Sequence, residues 1–461
     1  MSARYCIALS ALFTLSACAI KSAPATTVSP RPLAQGVAVY RPEATDGARP
    51  DGPVFQSPAG VMSLGDAVAL ALMHNPDLAA FAWETRAREA RVLQAGTPPN
   101  PVLGVLAEDI GASAVASGAS AQAVQPQTTI QLSQLVELGG KRAARQTLAT
   151  LDRDIASWDY ETARIDVLTQ VTQAFTDVLA AQNMAALMDE TLRVVDQTQQ
   201  AVIARVSAGV VSPIEQTRAE VVLAGARIEA DRTRRDLDAA RRRLASTWGA
   251  TDATYASVIG DMDQLPPVPS LVDLAGSIGN SPVLARWASE VSRRQAALDL
   301  ERARRVPDIT VSAGYRRFTD IDSNAFIIGG SIPLPFFDRN RGAIEEANNR
   351  LSKAFEERRA AQARVLAALA DAYRNLASAH EEVTALRATV LPGSQQAFEA
   401  ISEGYRVGRF GYVDVLDAQR TLIAARAQYL RALSNFHKAA ADVERLIGAP
   451  LDPAANPPST N

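Results

Sequence analysis

Two stretches decide how this chain folds: "AGVVSPIEQTRAEVVL", Ala208–Leu223, and "VGRFGYVDVLDAQRTL", Val407–Leu422. Few letters coincide, but the plan is shared. Each has a glycine, a short turn, an aliphatic residue followed by an acid, and an Ala-rich charged helix. Gly209 answers Gly408, Ile214–Glu215 answers Val413–Asp414, Ala219 answers Ala418 and Leu223 answers Leu422, all at one constant offset. A helix–turn–helix tip has been built twice, so the chain is first read as a repeat.

Outward from the tips the repetition continues. Before each tip runs a long stretch with helical periodicity. From the Gly139–Gly140 pair to about Ser207 there is neither proline nor a further glycine, and a helix of that length would reach roughly 100 Å. Leu148, Leu151, Ile155, Trp158, Ile165, Leu168, Val171, Phe175 and Val178 keep a three–four rhythm, continued by Met188, Leu192, Val195, Val202 and Val206. That is the pattern of coiled-coil packing. The second copy, Gly342 to about Val407, has an interruption at Leu391–Pro392. After each tip a helix returns, ending at Trp248–Gly249 and Ile447–Gly448.

Upstream of the long helices stand strands. "DITVSAGYR" (Asp308–Arg316) sets Ile309, Val311, Ala313 and Tyr315 against Thr310, Ser312 and Gly314. "FIIGGSIPL" (Phe326–Leu334) sets Phe326, Ile328 and Ile332 against Gly329 and Ser331, and "PVLGVLAED" pairs with "TTIQLSQLVEL" in the first copy. The alternation fits a half-buried soluble hairpin or a membrane barrel wall, apolar outward and polar inward. In the barrel reading Ile309, Val311, Ile328 and Ile332 face lipid, while Thr310, Ser312 and Ser331 face a lumen. Four strands cannot close a barrel, and an open edge in hydrocarbon leaves backbone groups unpaired, so chains would have to associate. Each copy opens with a Ser-capped short helix (Ser63, Ser270) and a second helix started by Pro76 or Pro282.

The ends imply export. Arg4, an apolar run and "LSAC" form a signal over residues 1–17, and Leu15–Cys18 matches a lipobox. Cleavage before Cys18 would leave a lipid-modified cysteine; the plainer reading is an ordinary signal peptide. Cys6 lies within the signal, so no internal disulfide remains possible. Residues 18–62 read as an extended Pro/Ala/Gly-rich tether, 251–269 as a connector, and 450–461 as a disordered tail, with repeats at 63–250 and 270–449. The net charge of −3 gives no reason to expect nucleic acid. No Walker loop, G-x-S-x-G or H-E-x-x-H is present, so no enzyme, cofactor or metal site is expected. His74, His380 and His437 are scattered through helices.

"YRVGRFGYVDVLDAQ" (Tyr405–Gln419), "LSQLVELGGKR" (Leu132–Arg142) and "IPLPFFDRNRGAI" (Ile332–Ile344) resemble the TolC-type outer-membrane factors of tripartite efflux systems. The last two are most similar to the cobalt–zinc–cadmium resistance branch. The resemblance implies a mainly α protein with a membrane β-barrel. Two structural repeats per chain would build a homotrimer, with a twelve-stranded outer-membrane barrel continued by a periplasmic α-helical coiled-coil tunnel. It also implies a passive conduit in the outer membrane, lipid-anchored at Cys18. The conduit would be served by a periplasmic adaptor and an inner-membrane proton-driven pump of the resistance-nodulation-division type. Divalent heavy-metal cations would be its cargo, with multidrug or type I secretion as the alternative within the family. Outside it stands a lipid-anchored adaptor or structural coiled coil, which normally shows one helical hairpin and not two. The resemblance further makes Asp414, Asp417 and Tyr405 periplasmic gate residues; Phe410 stands where members carry Arg. The tips, Gly209, Val210, Val211, Ser212 and Pro213 with Gly408, Arg409 and Gly411, are the expected adaptor-docking rim. For Asp414 the competing role is to stabilise the first turn of its helix.

Overall fold

The computed structural model describes residues 30–42, 59–110, 126–318 and 323–451. The signal, Cys18, most of the tether, the loop 111–125 and the tail beyond Leu451 lie outside them.

Chain order is β1 (Val61–Met62), α1 (Leu64–His74), α2 (Pro76–Ala95), β2 (Val102–Glu108), β3 (Gln127–Val136), α3 (Lys141–Ser207) and α4 (Pro213–Ser246). The second half follows the same plan with β4 (Ser257–Val258), α5 (Leu271–Ser277), α6 (Pro282–Arg304), β5 (Ile309–Phe318), β6 (Ser323–Ser331), α7 (Arg341–Ala385), α8 (Leu391–Arg406) and α9 (Tyr412–Ile447). Caps explain the boundaries. Ser63 Oγ accepts from the Asp66 amide, Asn75 Oδ1 from Leu78, and Ser270 Oγ from Asp273, and Pro76, Pro213 and Pro282 stand in first turns.

Pro392 does not end its helix. Leu386–Val390 form a π-helical turn that joins α7 to α8, and the path continues to Arg406. The wider turn re-phases the backbone bonds where proline supplies no donor.

The short and long helices combine into four pillars. At the end of α4 the Asn75 side-chain amide donates to the Thr247 carbonyl at 2.8 Å, and Gly249 lies against Pro76, so α4 and α2 meet end to end. Gly448 likewise lies against Asn280 and Pro282, joining α9 to α6. Gly249 (φ +79°) and Gly448 (φ +69°) both occupy the left-handed region that lets the chain leave one helix and enter the next. Helix α3 packs on α4 and α9 in its lower part, and on α2 and α6 in its upper part. Since α7 packs on α9 and α6, the lateral order is α2/α4, α3, α6/α9, α7/α8.

The four-stranded antiparallel sheet repeats that order, as β2-β3-β5-β6. Each strand stands on its own pillar, because β2 leaves α2, β3 enters α3, β5 leaves α6 and β6 enters α7. Register pairs Leu103 with Leu132 and Ala313, Val105 with Ile130 and Tyr315, and Tyr315 with Phe326. These, with Val311 and Ile328, form one apolar face. Ser133, Gln131, Ser312, Arg316 and Gly329 share the opposite one. Phe326 and Ile328 are almost wholly exposed, so among the described residues nothing covers the apolar face.

The main core sits at mid-height. Tyr255, Phe436, Leu72, Leu78, Leu244 and Leu376 are fully buried where the short helices and the parallel pair β1–β4 wrap the long ones. Two residue stretches without periodicity belong to this core. Tyr255, Val258 and Met262 of the expected connector are buried in it. Residues 30–42 of the expected tether dock on α3, where the Arg31 amide donates to Glu161 at 2.6 Å, and on α1, where the Tyr40 amide donates to the Leu72 carbonyl at 3.1 Å. Leu451, at the start of the expected tail, is also buried.

Candidate functional site at the helical tips

The two tips share a backbone. In the first, the Val210 amide donates to the Arg205 carbonyl and Gly209 to Val206, both at 2.9 Å; in the second, Arg409 donates to Gly404 at 2.8 Å and Gly408 to Tyr405 at 3.1 Å. This is the same helix-ending motif twice, and it requires a left-handed residue, supplied by Gly209 (φ +74°) and Gly408 (φ +77°).

Side chains then diverge. Ser212 caps α4 by accepting from the Ile214 amide, ahead of Pro213. Gly411 has no side chain to do this, and Asp414 reaches back instead, its Oδ2 accepting from the Gly411 amide at 2.8 Å. The helix-starting role for Asp414 is therefore real. Asp414 and Asp417 are both exposed, and the Asp417 carboxylate has no hydrogen-bond or ion-pair partner among the described residues. Phe410 packs on Gly404, where any side chain would collide with its ring.

Tyr405 lies elsewhere, in a seam between the tips. The Arg205 guanidinium stands 4.7 Å over its ring, and the Tyr412 ring is 6.1 Å away. Tyr412 is buried with Val202 and Ala219, flanked by Val206 and Leu416. The Tyr405 hydroxyl and Glu215 Oε2 are buried without a hydrogen-bond partner. Burial pushes both tyrosine hydroxyls above their ordinary range; Arg205 opposes this at Tyr405, and Tyr405 and Glu215 reinforce it at Tyr412. The seam therefore stays uncharged at its tyrosines through neutral pH, and Arg205 is held by a ring face rather than by an ionised phenol.

Sequence reasoning did not single out Arg205, Tyr412 or Gly404. Glu215 was visible only as the counterpart of Asp414. At the end of the tips, Val210, Ile214, Val407, Phe410 and Val413 are exposed, while Val211 is half-buried. Among the described residues no group of three or more His, Cys, Asp or Glu is placed to hold a metal ion. His437 Nε2 faces the Met262 carbonyl at 2.9 Å and His380 packs on Phe436, so both serve the core. No described helix is long and apolar enough to cross a membrane.

Long pillars that each carry a strand, with an apolar sheet face uncovered among the described residues, are the fold of outer-membrane channel chains. The crystal structure of CusC superposes with a TM-score of 0.69 at 18% identity, covering 88% of this chain and 99% of that one. The chain belongs to the outer membrane efflux protein family, whose pattern matches residues 67–250 and 276–449, one segment per repeat. It is 36% identical over 397 residues to the cobalt-zinc-cadmium resistance protein CzcC of Cupriavidus metallidurans, covering 86% of this chain and 92% of that relative. The nickel-cobalt-cadmium resistance protein NccC of Alcaligenes xylosoxydans xylosoxydans is 28% identical over 60% of this chain and 62% of its own length. The protein is thus an outer-membrane efflux component, of a family that transports rather than catalyses.

Proposed function

We propose that three copies close into a twelve-stranded barrel and a twelve-pillar tube, a passive conduit for divalent heavy-metal cations. An inner-membrane proton-driven pump of the resistance-nodulation-division type supplies the cargo and a periplasmic adaptor docks on the tips. The observation that carries this is the shared lateral order of strands and pillars. The sheet ends in unpaired edges at β2 and β6, and the layer of pillars ends at the same two places, α2/α4 and α7/α8. A head-to-tail contact that joins one edge to the other of the next copy satisfies both at once and closes by rotation. Along α4, Ile214, Val221 and Ile228 are exposed at heptad spacing, an apolar stripe suited to the neighbour's α7/α8. The metal cargo is inferred from the named resistances of the relatives.

Lipid attachment at Cys18 belongs to the same proposal. Arg31 stands thirteen positions after Cys18, a reach of at most about 45 Å. Arg31 docks on Glu161, twenty residues along α3 from its start below the sheet, about 30 Å. The tether is long enough to join membrane and docking site. In the gate, Asp417 supplies free carboxylates to the axis, Asp414 holds the helix start, and Tyr405 and Phe410 close the tips by packing.

The test is a strain lacking the gene, scored for cobalt, zinc and cadmium tolerance beside drug tolerance. Restored metal tolerance on complementation, with heat-modifiable trimers in the outer membrane, is expected. Drug sensitivity without metal sensitivity would move the cargo to the multidrug alternative, and monomers in the periplasm would remove the channel. Cys18→Ser should abolish fatty-acid labelling while trimers still form.

A further inference from the structure

Where β6 leaves the sheet, its apolar alternation does not stop. Ile328 is followed on the same face by Ile332 and Leu334, and then by Phe336 and Phe337, all exposed, Phe337 entirely so. The Phe336 amide donates to the Leu334 carbonyl at 2.9 Å, so the chain turns here and both rings leave the protein surface. Among the described residues nothing packs over these two adjacent phenylalanines.

The level at which they stand is fixed by contacts among three helix ends. Lys141 at the start of α3 pairs with Asp308 at 2.7 Å, and Gly139 lies against Val306 beyond α6. Asn340, which precedes α7, donates to the Glu301 carbonyl of α6 at 2.8 Å. At this level Asp308 pairs with Lys141, Glu137 with Arg145 and Glu301 with Arg304, while Asp338 in the turn accepts from the Asn340 amide at 2.9 Å. The cations are in excess. Arg142, Arg305, Arg339 and Arg341 are exposed and have no acidic partner among the described residues.

Bare aromatic rings continuous with a lipid-facing sheet, beside unpaired arginines, match a bilayer boundary with negative headgroups. We propose that the turn Leu334–Asn340 and these arginines form an anionic-phospholipid collar on the periplasmic leaflet. The rings enter the acyl boundary and the guanidiniums hold phosphate oxygens. The collar rests on the barrel reading above. It fixes the depth of the barrel at the strand–pillar joint and gives the joint a ligand.

The test uses purified full-length protein in nanodiscs of phosphatidylcholine or phosphatidylglycerol, with or without brominated acyl chains. Phe337→Trp adds an indole over the wild-type tryptophan background, and Ile328→Trp serves as a mid-sheet control. Bromine should quench both added indoles, and the Phe337→Trp emission most strongly when bromine lies near the headgroup. Quenching at Ile328→Trp alone overturns the collar while leaving the barrel standing. Quenching at neither removes the barrel reading. Burial of the Phe337→Trp indole in a subunit contact, seen as a blue-shifted emission that no bromolipid quenches, also overturns the collar. Native mass spectrometry should find phosphatidylglycerol retained over phosphatidylcholine. Each arginine near an anionic surface favours it by about fivefold. Arg142→Gln/Arg305→Gln/Arg341→Gln should lower that preference by more than one such step, with trimers intact. An unchanged preference overturns the electrostatic half of the proposal.

Discussion

Arg164→Ala should free the amino-terminal strap from the body of the protein. Arg164 and Glu161 face each other one turn apart on α3, with side chains only 3% and 5% exposed. The guanidinium is fully used. Nε and Nη2 donate to the two Glu161 oxygens at 2.8 and 2.7 Å, Nη1 to the Leu33 carbonyl at 2.9 Å, and Nη2 to the Arg31 carbonyl at 3.3 Å. Truncation removes the guanidinium donors to the strap's carbonyls and leaves a buried carboxylate with only the Arg31 amide, a loss of about 3–5 kcal/mol. Taking about 3 kcal/mol of this as strap docking, the undocked population rises on the order of a hundredfold. Hydrogen exchange on the full-length protein should show it at Arg31, Val37 and Tyr40, whose amides bond Glu161, Ala34 and Leu72. Arg164→Lys should be intermediate, because an ammonium cannot fork across both carboxylate oxygens and the carbonyls. The double variant Glu161→Gln/Arg164→Met, which leaves no lone buried charge, should recover the stability of α3 without recovering strap protection. Protection within about twofold of wild type in Arg164→Ala would refute this role for Arg164, since it requires at least one charge-assisted bond of about 1.5–3 kcal/mol to serve the strap.

Burial raises the Glu444 carboxyl above its usual range, against the lowering effect of the Leu451 amide that donates to it. A raised folded-state value means stability is fullest below the ordinary carboxylate range and declines as pH rises through the raised value. Glu444→Gln should therefore raise the melting temperature at pH 7, with the gain fading in acid below about pH 4. Asp414→Ala should fray the start of α9 by about 1 kcal/mol, read as faster exchange of the Gly411 amide, and Asp417→Ala should leave that amide unchanged. In planar bilayers Asp417→Ala should weaken block by multivalent cations; unaltered block would remove Asp417 from the mouth. On the sheet, Val311→Arg should cost about 2–4 kcal/mol and Ser312→Arg much less, by urea titration of folding into vesicles. Equal costs would mean the two faces see the same solvent.

What was legible in the sequence was whatever recurs. Helix α3 announces itself through Ile165, Leu168, Val171, Phe175 and Val178, each placed by the same rhythm and each buried. The sheet faces follow from alternation alone, and Val311 shares its face with Tyr315 and Phe326 as period two demands. Single contacts to distant elements leave no such trace. Tyr255 is wholly buried, held by its hydroxyl donating to the Arg241 carbonyl at 3.1 Å, yet its neighbours have no period. The strap is recognised by one ion pair more than a hundred residues away. At the tips the signal is mixed: an acid three residues after Gly411 spells a helix start, but the meeting of Arg205 with Tyr405 depends on which pillars adjoin.

The duplication makes physical sense once the tips are compared side chain by side chain. A shared backbone motif ends both pillar pairs at equivalent points, which a tube requires of every wall segment. Beyond that the copies are free to differ. In the first tip Ser212 caps α4, so Glu215 has no capping duty and turns into the seam beside Tyr405 and Tyr412. In the second tip no capping side chain exists at Gly411, so the equivalent acid, Asp414, is tied to the helix start and Asp417 becomes the free charge. The same acid position therefore serves packing in one copy and capping in the other. Exchanging the caps should exchange the duties. Ser212→Gly should draw Glu215 back toward the position-212 amide, loosening the Arg205–Tyr405 stack. Gly411→Ser should release Asp414, adding a second free carboxylate beside Asp417. Crosslinking across the seam reads the first change and multivalent-cation block reads the second. If neither responds, the two acids are held by something other than their caps, and the cap residue does not decide which acid is free.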